Sequence, residues 1–306
     1  MKAYKPIFWE EKSIISYLLF PLNIITYIIN KIKKTSIKQR FKIKTICVGN
    51  IYLGGTGKTS LAIEIYKILS KKFNPVFIKK NHHNQFDEIR QLKKKGNIIF
   101  NKSRKNSLFL AEKKKFDVAI LDDGLQQKNI YYDLSIVCFN SSNSLGNKFL
   151  IPSGPLRENL MEIKEYDLVF INGEQDNPNL EKFIYNVKRK NIFVAKYEPT
   201  NLKKFNLKKK YLMFSGIGNP HEFETTLNKN KFKIIEKIIY PDHYKLDNDE
   251  ITRIKSLAKQ KNLKIITTEK DFYRLDQNQK KNINFLKTKL KIKNIKRFKK
   301  KLFEYL

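Results

Sequence analysis

The chain has 306 residues and a formal net charge of +34, and 41% of its residues are hydrophobic, including 22 Phe and 15 Tyr. So many large apolar side chains exclude an intrinsically disordered protein, and the length allows two domains with cores of their own. The charge suggests an anionic partner, either a nucleic acid or a membrane surface. Nucleic acid is the weaker candidate, because only eight of the 63 basic residues are Arg, the residue that best reads bases.

An apolar segment lies near the N-terminus. Residues 14–29 read IISYLLFPLNIITYII, and a basic cluster follows at 31–40. As a helix the segment would reach only about 24 Å, short of a hydrocarbon core of about 30 Å, and Pro21 interrupts it. A cleaved signal peptide fits poorly, because the main positive cluster follows the segment. With Trp9 and the basic flank, we expect a helix or hairpin in the membrane interface; a helix packed on the protein body is the alternative.

The segment from Thr45 to Thr59, TICVGNIYLGGTGKT, combines a buried-strand pattern, a glycine-rich turn and the start of an amphipathic helix. This order is typical of a P-loop, in which glycines let backbone N–H groups close around a phosphate. Lys58 would contact the β- and γ-phosphates, and the Thr59 hydroxyl would bind Mg²⁺. The strict pattern has Gly where this chain has Tyr52, so a flexible turn in another α/β protein is the alternative. The predicted nucleotide-binding residues are Gly54, Gly55, Thr56, Gly57, Lys58, Thr59 and Ser60.

Two further segments carry charged side chains suited to phosphate chemistry. In FDVAILDDGLQQ, residues 116–127, apolar residues run into two acids, as when a buried parallel strand delivers a carboxylate to the edge of a sheet. Asp122 or Asp123 would hold Mg²⁺, directly or through water. In IPSGPLRE, residues 151–158, prolines and a glycine fix a turn that presents Arg157. This Arg would stabilise charge on a transferring phosphate, unless the loop is only structural.

The remaining patterns alternate between strands and helices, which is typical of an α/β fold. A polar, Lys-rich stretch at 198–210 predicts a domain boundary. We therefore predict a membrane-associated helical segment at 1–40, a P-loop core at 41–200 and a smaller α/β domain at 201–306. Strands are predicted at 45–48, 75–78, 98–100, 134–139, 167–172, 192–195, 211–214, 233–239 and 263–267, and helices at 60–69, 87–95, 106–115 and 249–260.

Two minor features complete the pattern. Cys47 and Cys138 fall in apolar runs and are expected to be buried thiols in a reducing compartment. Residues 282–306 are rich in Lys, which suits either contact with anionic lipid or an ordinary solvated face.

Together these motifs resemble the tetraacyldisaccharide 4′-kinase family, the lipid A 4′-kinases. The resemblance spans roughly residues 1 to 275 and rests on an ordered series: the apolar N-terminal segment, VGNIYLGGTGKTS, LDDGLQQ, IPSGPLRE, SGIGNPHEF, PDHY and TTEKD. It implies a P-loop NTPase-like core with a mostly parallel sheet, a smaller C-terminal α/β domain that closes the active-site cleft, and an N-terminal membrane-associated segment.

The resemblance also implies an activity and a location. The enzyme would transfer the γ-phosphate of ATP, with Mg²⁺, to the 4′-hydroxyl of tetraacyldisaccharide 1-phosphate, forming lipid IVA in lipopolysaccharide biosynthesis. It would lie at the cytoplasmic face of the bacterial inner membrane, peripheral or monotopic, on a surface with anionic lipids. Neither a nucleic acid nor an obligate protein partner is expected. The alternative is a P-loop GTPase or assembly factor, although TTEKD lacks the N/T-K-x-D spacing for guanine.

A catalytic dyad is implied by the same resemblance. The family pairs the Asp of a Gly-Asp-Glu-Pro segment with the His of a D-H motif. Here the D-E pair is Asp87 and Glu88 in QFDEI, and His243 matches in PDHY. Asp87, oriented or tuned by His243, would accept the proton of the sugar hydroxyl. The chain departs from the family's S-R-G-Y-G segment, since residues 79–84 read KKNHHN.

The donor side is implied more directly. The family's P-loop lysine and hydroxyl fall on Lys58 and Thr59, and its tandem acids fall on Asp122 and Asp123. Lys58, Mg²⁺ and Arg157 would stabilise the charge of the transferring phosphate.

Overall fold

The computed structural model describes residues 6–81, 86–141, 145–173, 177–242 and 244–306. The chain divides into two compact units: a larger one, residues 6–196 and 292–306, and a smaller one, residues 197–291.

After two N-terminal helices, the larger unit alternates strands and helices as far as residue 122, and most of its later elements are strands. Long apolar runs form its strands, because parallel strands covered on both faces bury nearly every side chain. Its elements are α1 Ile14–Leu18, α2 Asn23–Lys34, β1 Lys44–Gly49, α3 Lys58–Leu69, β2 Pro75–Lys80, α4 Phe86–Lys93, β3 Ile98–Asn101, α5 Arg104–Lys113, β4 Val118–Asp122, β5 Leu134–Asn140, β6 Leu168–Asn172, α6 Pro178–Val187 and β7 Ile192–Pro199.

The smaller unit has the same alternating pattern. Its elements are β8 Lys210–Ser215, α7 Pro220–Lys229, β9 Lys233–Ile239, α8 Asn248–Gln260, β10 Lys264–Thr268, α9 Glu269–Arg274 and β11 Ile283–Leu286. The strands pair in parallel in the order β11-β10-β8-β9. Alternate residues of β8 enter two apolar clusters, with Leu212 and Phe214 in one and Tyr211 and Met213 in the other.

After β11 the chain adds β12 Thr288–Ile292 and α10 Ile295–Phe303. The larger sheet has the order β12-β7-β6-β5-β1-β4-β2-β3. In this spatial order, each strand from β7 across to β3 is parallel to its neighbour. The predicted α/β class with a mostly parallel sheet is confirmed. β1 lies between β4 and β5, where the strand order reverses, and open parallel sheets bind ligands outside the carboxyl ends of strands at such a point.

The C-terminal helix departs from the predicted domain limits. Residues 292–306 belong to the larger unit, although the smaller domain was predicted to run to residue 306. The reason is the amphipathic α10, which buries Phe298 and Leu302. The ring of Phe298 contacts those of Phe170 and Phe193, with centroids 5.8 and 5.1 Å away. The surrounding lysines hid this one apolar stripe from the sequence prediction.

The N-terminal segment is also part of the larger unit rather than a separate body. Pro21 lies in a short 3₁₀ turn between α1 and α2. Of the helices in the described ranges, none has both the length and the apolar character needed to cross a membrane. Cys47 and Cys138 are buried free thiols, as predicted, and burial raises the pKa of Cys47 to about 12.

Candidate active site

The glycine-rich turn leads from the end of β1 into α3. Gly54 and Gly57 have φ angles of +145° and +76°, which L side chains rarely adopt. Two strand-end amides hold the turn from the side. Asn140, the last residue of β5, donates to the Gly55 carbonyl at 3.1 Å, and Asn172, the last residue of β6, donates to the Thr56 carbonyl. These two hydrogen bonds satisfy the carbonyls of Gly55 and Thr56 and fix the backbone of a turn whose N–H groups would bind an anion.

The structure explains why a tyrosine, Tyr52, can stand where the strict P-loop pattern has glycine. It is buried, and it forms an antiparallel bridge with Leu156 of the 151–158 loop. Leu53 N donates to Pro155 O at 2.9 Å, and Arg157 N donates to Ile51 O at 2.8 Å. The first half of the turn is therefore a short extended segment paired with that loop, and extended backbone needs no glycine.

The tandem acids have different partners. Asp122, the last residue of β4, is fully buried and accepts from Thr59 Oγ1 at 3.0 Å through Oδ2. Asp123 Oδ1 lies 3.7 Å from Lys58 Nζ and accepts from Arg157 Nη1 at 2.8 Å. The structure thus brings together the predicted donor-side residues Lys58, Thr59, Asp122, Asp123 and Arg157 at the carboxyl edge of β1 and β4.

Neighbouring cations favour the ionised form of the Asp123 carboxyl group. Burial alone would raise the pKa of Asp123, but Lys58, Arg157 and Lys79 outweigh it, so the pKa lies well below its usual value. Its φ angle is +61°, which costs a non-glycine residue of the order of 1 kcal/mol. In this conformation the Asp123 carboxylate meets Arg157 and Lys58, whereas the Asp122 carboxylate meets Thr59.

Asp122 fits a metal ion better than Asp123 does. Its Oδ1 is buried and has no hydrogen-bond partner among the residues that the structure describes. A carboxylate oxygen beside a threonine hydroxyl is the donor set with which P-loop proteins hold Mg²⁺. The Asp123 carboxylate, in contrast, is already paired with two cations. The residues present therefore fit Mg²⁺, and Asp122 and Thr59 are the ones that would hold it.

Sequence reasoning missed a buried lysine. Lys79, in β2, is 2% exposed, and its Nζ lies 2.7 Å from Asp122 Oδ2 and 2.6 Å from Glu88 Oε2. Burial would lower the pKa of Lys79, but the two carboxylates outweigh it and hold the pKa well above its usual value. A Lys directly after the buried run PVFI was the available signal.

A second missed cation borders a basic cavity. Arg104, at the start of α5, donates from Nη2 to the Asp123 carbonyl at 2.5 Å and from Nη1 to Gln127 Oε1 at 3.3 Å. Beside it is a cavity of about 470 Å³. Its charged lining consists of Lys33, Lys80, Lys102, Arg104, Lys128 and Asp123. Such a lining suits an anionic group next to the acids.

The structure describes only part of the predicted dyad. Asp87 lies in the first turn of α4, directly before Glu88, and only its backbone is described. His243 lies outside the described residues, as do residues 82–85 of the divergent segment. The dyad thus remains a prediction.

In the smaller unit, three of the sequence motifs converge. Asp271 of TTEKD accepts from Gly216 N of SGIGNPHEF at 3.1 Å, and Arg274 Nη1 donates to the Gly216 carbonyl at 2.6 Å. Lys270 Nζ and Arg274 Nη2 lie 3.5 and 3.9 Å from Asp242 of PDHY. These contacts hold the residue before His243 at the carboxyl edge of this sheet.

Known proteins agree with this architecture. The family model described as "tetraacyldisaccharide-1-P 4′-kinase" matches residues 15–306. The tetraacyldisaccharide 4′-kinase of Pelagibacter ubique is 46% identical over 99% of this chain and 98% of its own. That of Rickettsia typhi is 34% identical over 90% of this chain and 91% of its own. The structure of LpxK from Aquifex aeolicus in complex with ATP is 22% identical, with a TM-score of 0.71 over 95% of this chain and 99% of its own.

Proposed function

Since this chain belongs to the tetraacyldisaccharide-1-P 4′-kinase family, the ATP-dependent kinases of lipid A biosynthesis, we propose that the carboxyl edge of its larger sheet is the site of phosphoryl transfer. The observation that carries this proposal is the convergence of Lys58 and Arg157 on Asp123 beside the Thr59–Asp122 pair. Cations and a metal-binding pair at a P-loop are what a transferring γ-phosphate requires. A GTPase or assembly factor with a switch role finds no support in the relatives.

On the donor side, the backbone of residues 54–60 binds the phosphates, and Lys58 contacts the β- and γ-phosphates. Thr59 and Asp122 hold Mg²⁺, which when bound neutralises charge on the phosphate oxygens. Arg157 is fixed by Asp123 at 2.8 Å and by Gln126 Oε1 at 3.1 Å, so its guanidinium is positioned before the reaction.

On the acceptor side, Asp87 takes the proton of the 4′-hydroxyl and His243 orients or tunes Asp87. A sugar hydroxyl is a weak nucleophile at neutral pH, so a positioned proton acceptor matters. The basic cavity beside Asp123 supports an acceptor that itself carries a phosphate, because Lys80 and Lys102 in its lining can pair with it. The acceptor is then tetraacyldisaccharide 1-phosphate.

The N-terminal helices support a membrane-bound enzyme. The polar face of α2 is turned inwards: Asn23 Nδ2 donates to Ser153 Oγ at 2.7 Å, and Asn30 Nδ2 donates to the Arg157 carbonyl at 2.8 Å. The apolar side chains of α2 consequently face outwards, with exposures of 60% for Ile24, 57% for Ile25 and 63% for Ile32. An exposed apolar face ending in lysines suits the interface of an anionic leaflet. We place the enzyme at the cytoplasmic face of the inner membrane, peripheral or monotopic.

The activity is tested by phosphate transfer. We expect the purified full chain, in detergent with Mg²⁺, to transfer ³²P from [γ-³²P]ATP to tetraacyldisaccharide 1-phosphate. Omitting Mg²⁺ or replacing ATP with GTP should each lower the rate, and an acceptor without the 1-phosphate should raise KM. GTP hydrolysis without any lipid product would contradict the kinase assignment.

Membrane binding is tested on the outer face of α2. The double substitution Ile25→Glu/Ile32→Glu should reduce sedimentation with phosphatidylglycerol-containing vesicles at least about tenfold, since each change removes an exposed apolar side chain that would enter the membrane interface and adds a negative charge. Ile235→Glu, at a half-exposed position on β9 of the smaller unit, is the matched control. Equal sedimentation of all three proteins would rule out α2 as the membrane contact.

A further inference from the structure

Lys79 occupies a defined place between two strands and a helix. The register pairs Ile78 of β2 with Leu121 of β4, so Lys79 lies next to Asp122 on the neighbouring strand. Its ammonium contacts Asp122 Oδ2 at 2.7 Å and Glu88 Oε2 at 2.6 Å while the residue is 2% exposed. A buried ammonium is costly unless such partners surround it, so Lys79 is expected to keep both carboxylate contacts.

The two carboxylates belong to different parts of the reaction. Oδ2 of Asp122 accepts from both Lys79 and Thr59, which leaves Oδ1 as the oxygen for a metal contact. Glu88 lies in α4, and the residue before it in the same helix is Asp87. One ammonium therefore links the metal side of the site to the helix that carries the proposed proton acceptor.

We propose that Lys79 is a positioning residue that fixes helix α4, and with it Asp87, relative to the metal ligand Asp122. This inference rests on the proposed function, in which Asp87 takes the acceptor proton. Proton transfer needs Asp87 within hydrogen-bond reach of the acceptor hydroxyl, and that hydroxyl must lie beside the γ-phosphate. A fixed link between the end of β4 and the first turn of α4 would hold Asp87 at a constant position relative to Asp122.

A lysine that only neutralised buried charge would behave differently from a positioning lysine. Glu88→Leu removes the link to α4 but leaves Lys79 paired with Asp122. Glu88→Gln keeps an oxygen that can accept from Lys79, and so keeps the link. A positioning role therefore predicts a large difference between the two variants, whereas simple neutralisation of Asp122 predicts none.

The experiment compares Lys79→Met, Glu88→Leu and Glu88→Gln in the full chain. We expect Lys79→Met and Glu88→Leu to lower kcat by about 100-fold, with the dissociation constant of Mg·ATP changed by no more than about threefold. Glu88→Gln should retain at least about ten times the kcat of Glu88→Leu. Hydrogen exchange in residues 86–93, followed by mass spectrometry, should accelerate in the first two variants. Lys188→Met, at a half-buried lysine that donates to the Tyr166 carbonyl, is the control and should leave activity and exchange unchanged.

The outcomes of these experiments separate the role of Lys79 from the proposed role of Asp87. A kcat of Lys79→Met within threefold of wild type, unchanged exchange in residues 86–93, or equal activity of Glu88→Leu and Glu88→Gln would overturn the role of Lys79. Asp87→Asn is measured in parallel. An inactive Asp87→Asn beside an active Lys79→Met leaves the proposed function intact, whereas an active Asp87→Asn removes the proton acceptor itself.

Discussion

Replacing Lys58 with Met is expected to lower kcat by about 1000-fold, equivalent to about 4 kcal/mol of transition-state stabilisation. Lys58 is the first residue of α3, and its ammonium lies 3.7 Å from Asp123 Oδ1 in a pocket that leaves its side chain 16% exposed. In such a poorly solvated site a fixed positive charge acts on the phosphate oxygens with little screening. The measurement is ³²P transfer at saturating acceptor and ATP.

The control for this substitution lies on the same helix. Lys67 has a side chain that is 70% exposed and pairs with Glu64 at 3.8 Å, so Lys67→Met should leave kcat unchanged. Folding of Lys58→Met should persist, because Arg157 still pairs with Asp123 at 2.8 Å; circular dichroism checks this. If kcat stayed within tenfold of wild type, Lys58 would not act on the transferring phosphate.

Replacing Asp87 with Asn is expected to lower kcat by about 1000-fold as well, because the amide cannot accept the proton of the 4′-hydroxyl. His243→Gln should cause a smaller loss, since the proposed dyad gives His243 a role only through Asp87. The double variant should then be no slower than Asp87→Asn alone, because the second substitution removes a partner that no longer has a role. Transfer of ³²P to the lipid measures all three variants.

Two controls separate the dyad from general damage. Asp249→Asn changes the same residue type in the first turn of another helix, α8, and His221→Ala changes a histidine on α7 of the smaller unit. Neither should alter kcat. Losses for Asp87→Asn and His243→Gln that add in free energy would mean that the two residues act independently, and the dyad would be wrong.

Some of the site could be predicted because it is encoded locally. The glycine turn between a buried strand and a helix lies within residues 45–69, and its conformations follow from glycine backbone freedom and hydrophobic periodicity. The parallel sheet followed from apolar runs that alternate with amphipathic helices. Lys58, Thr59 and Arg157 could each be proposed from their own short motifs, and the order of these motifs carried the family resemblance.

Other parts depend on neighbours that are distant in sequence. Adjacent acids look equivalent in a sequence, and the end of β4 made them different: Asp122 continues the strand towards Thr59, while Asp123 adopts a left-handed conformation and meets Arg157. A lysine before a polar segment reads as solvated. Lys79 is buried only because β4 and α4 bring Asp122 and Glu88 to it.

The sequence by itself determined the α/β class, the P-loop and the family, because these depend on short-range periodicity, glycine spacing and motif order. The tertiary structure alone decided that Asp122, among the described residues, keeps a buried carboxylate oxygen without a hydrogen-bond partner, how α2 turns its polar face to the Arg157 loop, and that α10 packs on the larger unit. The physical reason is that side-chain pairing and burial are set by long-range contacts between elements, whereas secondary structure and loop conformation are set largely by neighbouring residues.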